Sequence, residues 1–134
     1  MGAWGSGIFE NDTACDFAAA VLDGGGISLV EQALDRVLAC GSNDLEAPEA
    51  EECLAAAEIV ARLTGSPGEQ TSYTAPIDTW IKASQASVSV EVCEKAKRAV
   101  ARVLSEPSEI VELWTDSGDF DGWKRSVEGL SARL

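Results

Sequence analysis

Apolar residues recur every three or four positions along nearly the whole chain, which is the spacing that places them on one face of an α-helix. Each apolar run begins near a residue type that favours a helix N-terminus. These predicted starts are Asn11 or Asp12, Ser28, Pro48, Pro76, Ser89, Pro107 and Asp119. No segment alternates with period two over the length of a strand. We therefore predict an all-α fold, a compact single-domain bundle of six to seven short helices.

Two sets of side-chain contacts are predicted within these helices. Ser28 and Glu31 have the S-x-x-E spacing of a capping box, which would satisfy free amides at the start of the second helix. In the fifth helix, Glu91 with Lys95 and Glu94 with Arg98 stand four residues apart. We expect both pairs to form ion pairs on the exposed side of that helix.

The chain has 134 residues, a length that suits one domain over residues 1–134, and residues 65–75 are predicted to be an internal linker. The third and fifth predicted helices resemble each other after a shift of 40 residues. Glu51, Cys53, Ala56, Val60, Ala61, Arg62 and Pro67 match Glu91, Cys93, Ala96, Val100, Ala101, Arg102 and Pro107. A duplicated helical hairpin and a chance agreement between two alanine-rich helices both explain this match.

The N-terminal segment, residues 1–11, sets two large aromatic rings among glycines just before a helix start. Trp4 and Phe9 carry large apolar surfaces, and Gly5 and Gly7 allow tight backbone turns. We therefore predict an ordered hook that Trp4 and Phe9 anchor on the helical body. Trp4 would then be a buried aromatic residue, and its substitution by alanine would lower the free energy of unfolding by about 3–5 kcal/mol. A phosphate-binding loop is disfavoured because the segment lacks a lysine and the G-x-G-x-x-G spacing.

Charge is the strongest compositional signal, with 23 acidic and 10 basic side chains and a net charge of −13. This charge argues against binding to nucleic acid, which needs a cationic surface. Residues 1–81 hold 14 acidic and 2 basic side chains, so nearly all of the excess negative charge lies in this part of the chain. The excess is either a solvated surface or a surface that attracts a basic partner.

The chain has no histidine, which excludes Ser-His-Asp and Cys-His catalysis and imidazole metal ligands. Its four cysteines are widely spread, with no C-x-x-C pair, and their neighbours are mostly small apolar residues. We expect Cys15, Cys40, Cys53 and Cys93 to be reduced, buried thiols rather than a zinc site. No catalytic residue, cofactor or metal ligand is assigned from the sequence.

The beginning of the chain has no basic or strongly apolar stretch of the kind found in signal peptides. Gly2 and Ser6 fit a myristoylation pattern, but no basic patch follows to hold the chain on a membrane. No run approaches the roughly 20 apolar residues of a bilayer span. We therefore expect a cytoplasmic protein without a membrane partner.

The segment MGAWGSGIFENDTACDF resembles the signature G-x-W-G-x-G-x-F-x-N-D-x-A-x-D of a bacterial family known as domain of unknown function 4259. The matching positions are Trp4, Gly5, Gly7, Phe9, Asn11, Asp12, Ala14 and Asp16. Phe17 departs from the family, in which tryptophan is common at that place. The resemblance implies a small helical domain over the full length and brings no assigned activity.

Two functions remain open at this point. The first is a protein-binding module that recognises a basic partner, as an immunity protein or inhibitor does when it covers the cationic groove of a toxin or nuclease. The alternative is a small ligand-binding, Mg²⁺-binding or enzymatic domain with carboxylates near the N-terminal motif. The candidate binding residues come from that motif: Trp4, Gly5, Gly7, Phe9, Asn11, Asp12 and Asp16.

Overall fold

A computed structural model describes residues 3–134 and divides them into seven α-helices and one short π-helical turn. The helices are α1 (Asp12–Ala20), α2 (Gly26–Ala39), α3 (Ala47–Leu63), α4 (Ala75–Ser84), α5 (Val90–Val103), α6 (Glu109–Ser117) and α7 (Phe120–Ala132), and the turn is Val21–Gly25. Among the described residues, β-structure is limited to two isolated bridges. The predicted all-α fold is confirmed. Gly2, which fits the myristoylation pattern, lies outside the described residues.

The third helix forms the centre of the molecule. α1, α2, α5, α6 and α7 all pack against α3. Pro48 lies in its first turn, as predicted, because a helix start tolerates a residue without an amide hydrogen. The apolar residues predicted to face the core are buried, and neighbouring helices also bury the charged residues Glu51, Glu58 and Arg62.

Two predicted helix caps are present. The Asn11 side chain accepts a hydrogen bond from the Ala14 amide at 2.8 Å, and Ser89 accepts one from Val92 at 3.3 Å. Both satisfy amides that have no partner within their helix. Asp119 stands at the N-terminus of α7 as predicted, but its side chain makes no capping hydrogen bond.

The predicted capping box at Ser28 is wrong. Gly24 and Gly26 adopt φ angles of 113° and 58°, a region that favours glycine, and α2 begins directly after this turn. Ser28 therefore lies inside the helix, where its hydroxyl accepts a hydrogen bond from Gln32 at 3.3 Å. The start of α6 also differs: Pro107 precedes the helix, and the extended residue Ser108 pairs with Leu45 before Glu109 begins it.

The ion pairs predicted within α5 do not form. Lys95 instead reaches across to α2, where its Nζ lies 2.8 Å from Asp35 and 4.0 Å from Glu31. The reason is that α5 packs against α2, so the side of α5 that carries Lys95 faces a neighbouring helix. Glu94 lies 3.5 Å from Lys97, three residues away, instead of pairing with Arg98.

The α1 and α2 helices, with the turn between them, form one helical run of 28 residues, Asp12–Ala39. With a mean hydropathy of 1.3, part of this run is apolar enough to cross a membrane by length and composition alone. The expectation that no stretch meets this test is therefore wrong. Core helices of soluble proteins and signal sequences pass it too. Here the run bends at Asp23 and Gly24, and α1 and α2 both pack on α3.

Candidate functional site

The N-terminal hook, described from Ala3 to Asn11, folds back on itself before α1 begins. The Trp4 amide donates to the Glu10 carbonyl at 3.0 Å, and Ala3 forms an antiparallel bridge with Asn11. The Glu10 amide in turn donates to the Gly7 carbonyl at 3.1 Å. The hook is therefore a closed loop whose two ends are hydrogen-bonded to each other.

The two motif glycines are explained by the side chain of Glu10. Its Oε1 accepts a hydrogen bond from the Gly7 amide at 2.9 Å. A Cβ atom built on Gly5 or on Gly7 would lie 2.5 Å from a carboxylate oxygen of Glu10, which is closer than van der Waals contact allows. Gly5 and Gly7 thus make room for a carboxylate that closes the loop.

The two aromatic residues of the hook have different surroundings. Phe9 is 5% exposed and belongs to the hydrophobic core. Trp4 is 50% exposed, so the prediction that it is a buried anchor is wrong. Its indole Nε1 donates to the hydroxyl of Tyr73 at 3.1 Å, and the two ring centroids lie 5.8 Å apart. Tyr73 is itself 41% exposed.

Tyr73 is the contact residue that sequence analysis missed. It lies within the predicted linker, 69 residues from Trp4, and no local pattern connects the two. The only feature of the sequence that marks Tyr73 is that it is the single tyrosine of the chain and lies in a polar segment. Together, Trp4 and Tyr73 form an exposed aromatic pair on the surface.

A shallow groove of about 220 Å³ lies beside the aromatic pair, between α1 and the start of α4. We call it the α1 groove. Its lining residues are mostly apolar: Phe9, Cys15, Ala18, Ala19, Leu22, Ser72, Tyr73, Pro76 and Ile77. The α1 positions among them follow helical spacing, so one side of α1 forms one wall of the groove.

Three exposed carboxylates border this wall. Asp12 and Asp16 lie one turn apart on α1, and Asp23 follows in the turn after that helix, where the backbone leaves helical geometry. We call them the acidic strip. Burial raises the pKa of the Cys15 thiol in the groove wall, and the charges of Asp12 and Asp16 raise it further. Asp12 and Asp16 are thus close enough to the groove for their charge to act on a group in its wall.

The acidic strip does not resemble a metal site. Asp12 and Asp16 are both exposed on the outer side of α1. Within residues 3–134, no group of three cysteine, aspartate or glutamate side chains is arranged to hold a metal ion. A divalent cation would therefore meet at most a pair of solvated carboxylates here, whereas Ca²⁺ and Mg²⁺ need about six oxygen ligands, some of them water.

A larger cleft of about 410 Å³ lies on the other side of Tyr73, between the hook, residues 68–74 and α7. The buried side chains of Glu58 and Arg62 and the partly exposed side chain of Arg133 line this cleft. The Arg62 guanidinium lies 2.8 Å from Asp78 and 3.1 Å from Glu58, and Arg133 lies 2.6 Å from Glu58. We call these four residues the charge cluster. Two positive and two negative side chains neutralise one another in this cluster, and the cleft is also lined by the charged residues Glu10, Glu69 and Arg125.

The charge cluster also holds the predicted linker in place. Arg62 donates to the Glu69 carbonyl at 2.7 Å, and the Gly68 amide donates to Glu58 at 3.1 Å. The Nε of Arg62 approaches Glu58 as an ion pair, but its hydrogen does not point at the carboxylate. Residues 65–75 are therefore a fixed segment, and this fixes Tyr73 against Trp4.

Comparison with known proteins identifies a family and nothing closer. A family model with the description "Domain of unknown function (DUF4259)" matches residues 2–126. No curated protein and no solved structure matches the chain.

Proposed function

The chain belongs to the family described as domain of unknown function 4259, whose description names no activity, and we propose that it is a protein-binding module for a basic partner. The binding face consists of the aromatic pair and the acidic strip. A concrete form of this role is an inhibitor or immunity protein that covers a cationic surface of its target.

The observation that carries the proposal is the exposure of two large aromatic side chains next to unpaired carboxylates. In residues 3–134 only three large hydrophobic residues are exposed, and Trp4 and Tyr73 are two of them. Tryptophan and tyrosine are the residue types that contribute most binding energy at protein interfaces. Neighbouring carboxylates add charge selection and faster association with a positive surface.

The structure also reduces the number of acidic residues that are free to bind a partner. Several carboxylates of residues 1–81 are neutralised within the fold by Arg36, Arg62, Lys95 or Arg133. These are Glu31, Asp35, Glu49, Glu52, Glu58 and Asp78. The acidic strip forms no ion pair with any described residue, so its negative charge remains available on the surface.

The test uses two triple variants with the same change in net charge. Asp12→Asn with Asp16→Asn and Asp23→Asn removes the acidic strip. Asp44→Asn with Glu46→Gln and Glu69→Gln removes three other exposed carboxylates and is the matched control. Each protein is immobilised and used to capture binding partners from a native lysate at about 50 mM and about 500 mM NaCl.

We expect a basic protein that the wild type and the control retain at low salt and that the strip variant loses. High salt should release it from the wild type and from the control, because screening weakens attraction between exposed charges. Equal capture by both triple variants, or capture that does not depend on salt, would overturn the proposal.

The alternative of a carboxylate site for Mg²⁺ has its own test. Since Asp12 and Asp16 are exposed and lack a third ligand, we expect no thermal stabilisation by millimolar Mg²⁺, Mn²⁺ or Ca²⁺. Stabilisation that Asp12→Asn abolishes would favour the alternative over a protein partner.

A further inference from the structure

The α1 groove is small enough to be filled by one side chain. Its volume of about 220 Å³ is below the range of about 300–1,000 Å³ that is typical of small-molecule pockets. Its floor consists of Phe9, Ala18 and Ile77, which are buried core residues, and its rim is open to solvent at Ala19, Tyr73 and Pro76. A small apolar recess of this kind accepts an apolar side chain that enters from outside.

The chemistry around the groove selects what can carry that side chain. Asp12 and Asp16 of the acidic strip lie on α1, which forms one wall of the groove, and Tyr73, which pairs with the exposed Trp4, also lines the groove. A cation beside an aromatic face or a carboxylate is attracted to it, whereas an anion is repelled. The neighbours of an entering side chain are therefore expected to be positively charged.

We propose that the α1 groove binds one apolar side chain of the partner, presented by a segment with lysine or arginine on either side of it. This inference rests on the proposed function and adds the recognition element within it. The apolar side chain is buried among Phe9, Leu22 and Ile77, and its basic neighbours lie over the acidic strip and the aromatic pair.

A second copy of this chain does not fit the same face. The copy would bring its own acidic strip, and each chain carries a net charge of −13. Like charges would meet at the edge of the groove, which costs free energy unless basic groups lie between them. A basic partner avoids this repulsion between like charges, whereas a second copy of the chain does not.

The experiment selects peptides from a phage-displayed random library against the wild-type protein. We expect the selected sequences to share one large apolar residue flanked by lysine or arginine. Acidic consensus sequences, or basic ones that lack the apolar residue, would overturn the inference, and failure to select any sequence would count against both it and the proposed function.

Two variants then locate the binding of a selected peptide. Ala19→Phe fills the groove from its exposed rim, and Ala20→Phe is the matched control, because Ala20 is exposed next to it but does not line the groove. We expect the first variant to weaken binding about tenfold or more and the second to leave it unchanged. Equal affinities of the two variants, with unaltered melting temperatures, would show that the groove is not the site.

The same peptide separates this inference from the proposed function. Ala19→Phe should weaken binding at every salt concentration, whereas loss of the acidic strip should matter mainly at low salt. If only the strip variant weakens binding, the groove inference fails and the proposed function stands. If neither variant weakens binding, both fail.

Thiol chemistry gives a second measurement that does not depend on a substitution. Cys15 lies in the groove wall and is partly exposed, while Cys93 on α5 is partly exposed outside the groove. A bound peptide should slow alkylation of Cys15 by iodoacetamide relative to alkylation of Cys93. Equal slowing at both sites, or none, would contradict occupation of the groove.

Discussion

Trp4 and Phe9 lie five residues apart, yet they play different roles in the hook. Phe9 buries nearly all of its surface in the core, whereas Trp4 leaves half of its surface exposed to solvent and contacts Tyr73. The buried ring holds the hook on the helices, and the exposed ring is available to a partner. At the scale of the residue, one motif therefore combines a buried aromatic contact with an exposed one.

This difference predicts the effect of two substitutions on stability. Phe9→Ala should lower the free energy of unfolding by about 3–5 kcal/mol, as for other buried aromatic residues. Trp4→Ala should cost about 0.5–1.5 kcal/mol, because it loses chiefly an exposed aromatic pair. Urea unfolding measures both values. A cost for Trp4→Ala as large as that for Phe9→Ala would mean that Trp4 is buried in solution.

Glu51 has a carboxyl that the fold keeps from solvent. Burial raises its pKa above the ordinary value, a hydrogen bond with Thr13 opposes the rise, and the nearby Glu109 charge adds to it. The folded state therefore binds the proton more tightly than the unfolded chain does. Stability from this group is present below the unfolded-state pKa of about 4.3 and is lost as pH rises through the folded-state pKa.

Removal of this charge should stabilise the fold at neutral pH. We expect Glu51→Gln to raise the melting temperature at about pH 7 and to leave it nearly unchanged at about pH 3.5, where the wild-type carboxyl is protonated in both states. Glu52→Gln is the control, since Glu52 is partly exposed and lies 3.1 Å from Arg36. A gain for Glu51→Gln that is the same at both pH values would refute this account.

At the scale of the element, α3 acts as the support for the rest of the fold. All six other helices of the described residues contact it, and its charged residues Glu58 and Arg62 connect it to α4, α7 and the segment 65–75. Removing one member of a buried ion pair leaves the other charge without compensation, which is expensive in a low-dielectric interior.

The charge cluster is therefore expected to be sensitive to single substitutions. Arg62→Met should destabilise the protein by about 3–5 kcal/mol, because its side chain is 1% exposed and its loss leaves Glu58 and Asp78 short of positive charge. Arg36→Met is the matched control, with a side chain that is 47% exposed and an expected cost of at most about 1 kcal/mol. Equal costs in urea unfolding would contradict the role assigned to the cluster.

The resemblance between α3 and α5 extends to the action of one side chain. Arg62 donates to the Glu69 carbonyl, and the matching Arg102 donates to the Ser105 and Pro107 carbonyls, so each arginine binds the backbone that follows its helix. The two helices differ in burial, since α5 keeps an exposed side and α3 does not. Duplication of a helical hairpin stays a prediction.

At the scale of the whole molecule, negative charge is the dominant electrostatic feature. The net charge is −13, and six carboxylates of the acidic half are neutralised within the fold. The remaining charges repel one another across a compact surface, which opposes folding. Salt reduces this repulsion, since the screening length falls from about 30 Å at 0.01 M to about 8 Å at 0.15 M.

We therefore expect the melting temperature to rise between about 10 mM and about 200 mM NaCl. The triple variant Asp44→Asn, Glu46→Gln and Glu69→Gln has a smaller net charge and should show a smaller rise. Calorimetry at both salt concentrations measures the effect. A melting temperature that falls with added salt would mean that surface ion pairs outweigh the repulsion.

The sequence by itself determined the helices and several of their ends. Helical spacing of apolar residues and capping by Asn11 and Ser89 are local properties, set by residues a few positions apart, so they can be read along the chain. The segment that carried the family resemblance is local in the same sense, and membership of the family is confirmed by the family model over residues 2–126. The start of α2 was missed, because backbone angles at glycine are not fixed by the neighbouring sequence.

Only the tertiary structure decided what these helices bring together. The contact of Trp4 with Tyr73 spans 69 residues, and that of Glu58 with Arg133 spans 75. Such pairs depend on the angles and distances at which helices pack, and the spacing of apolar residues within one helix does not specify them. The proposed binding face is therefore a property of the packed molecule, since only packing brings Tyr73 to the tryptophan of the N-terminal segment.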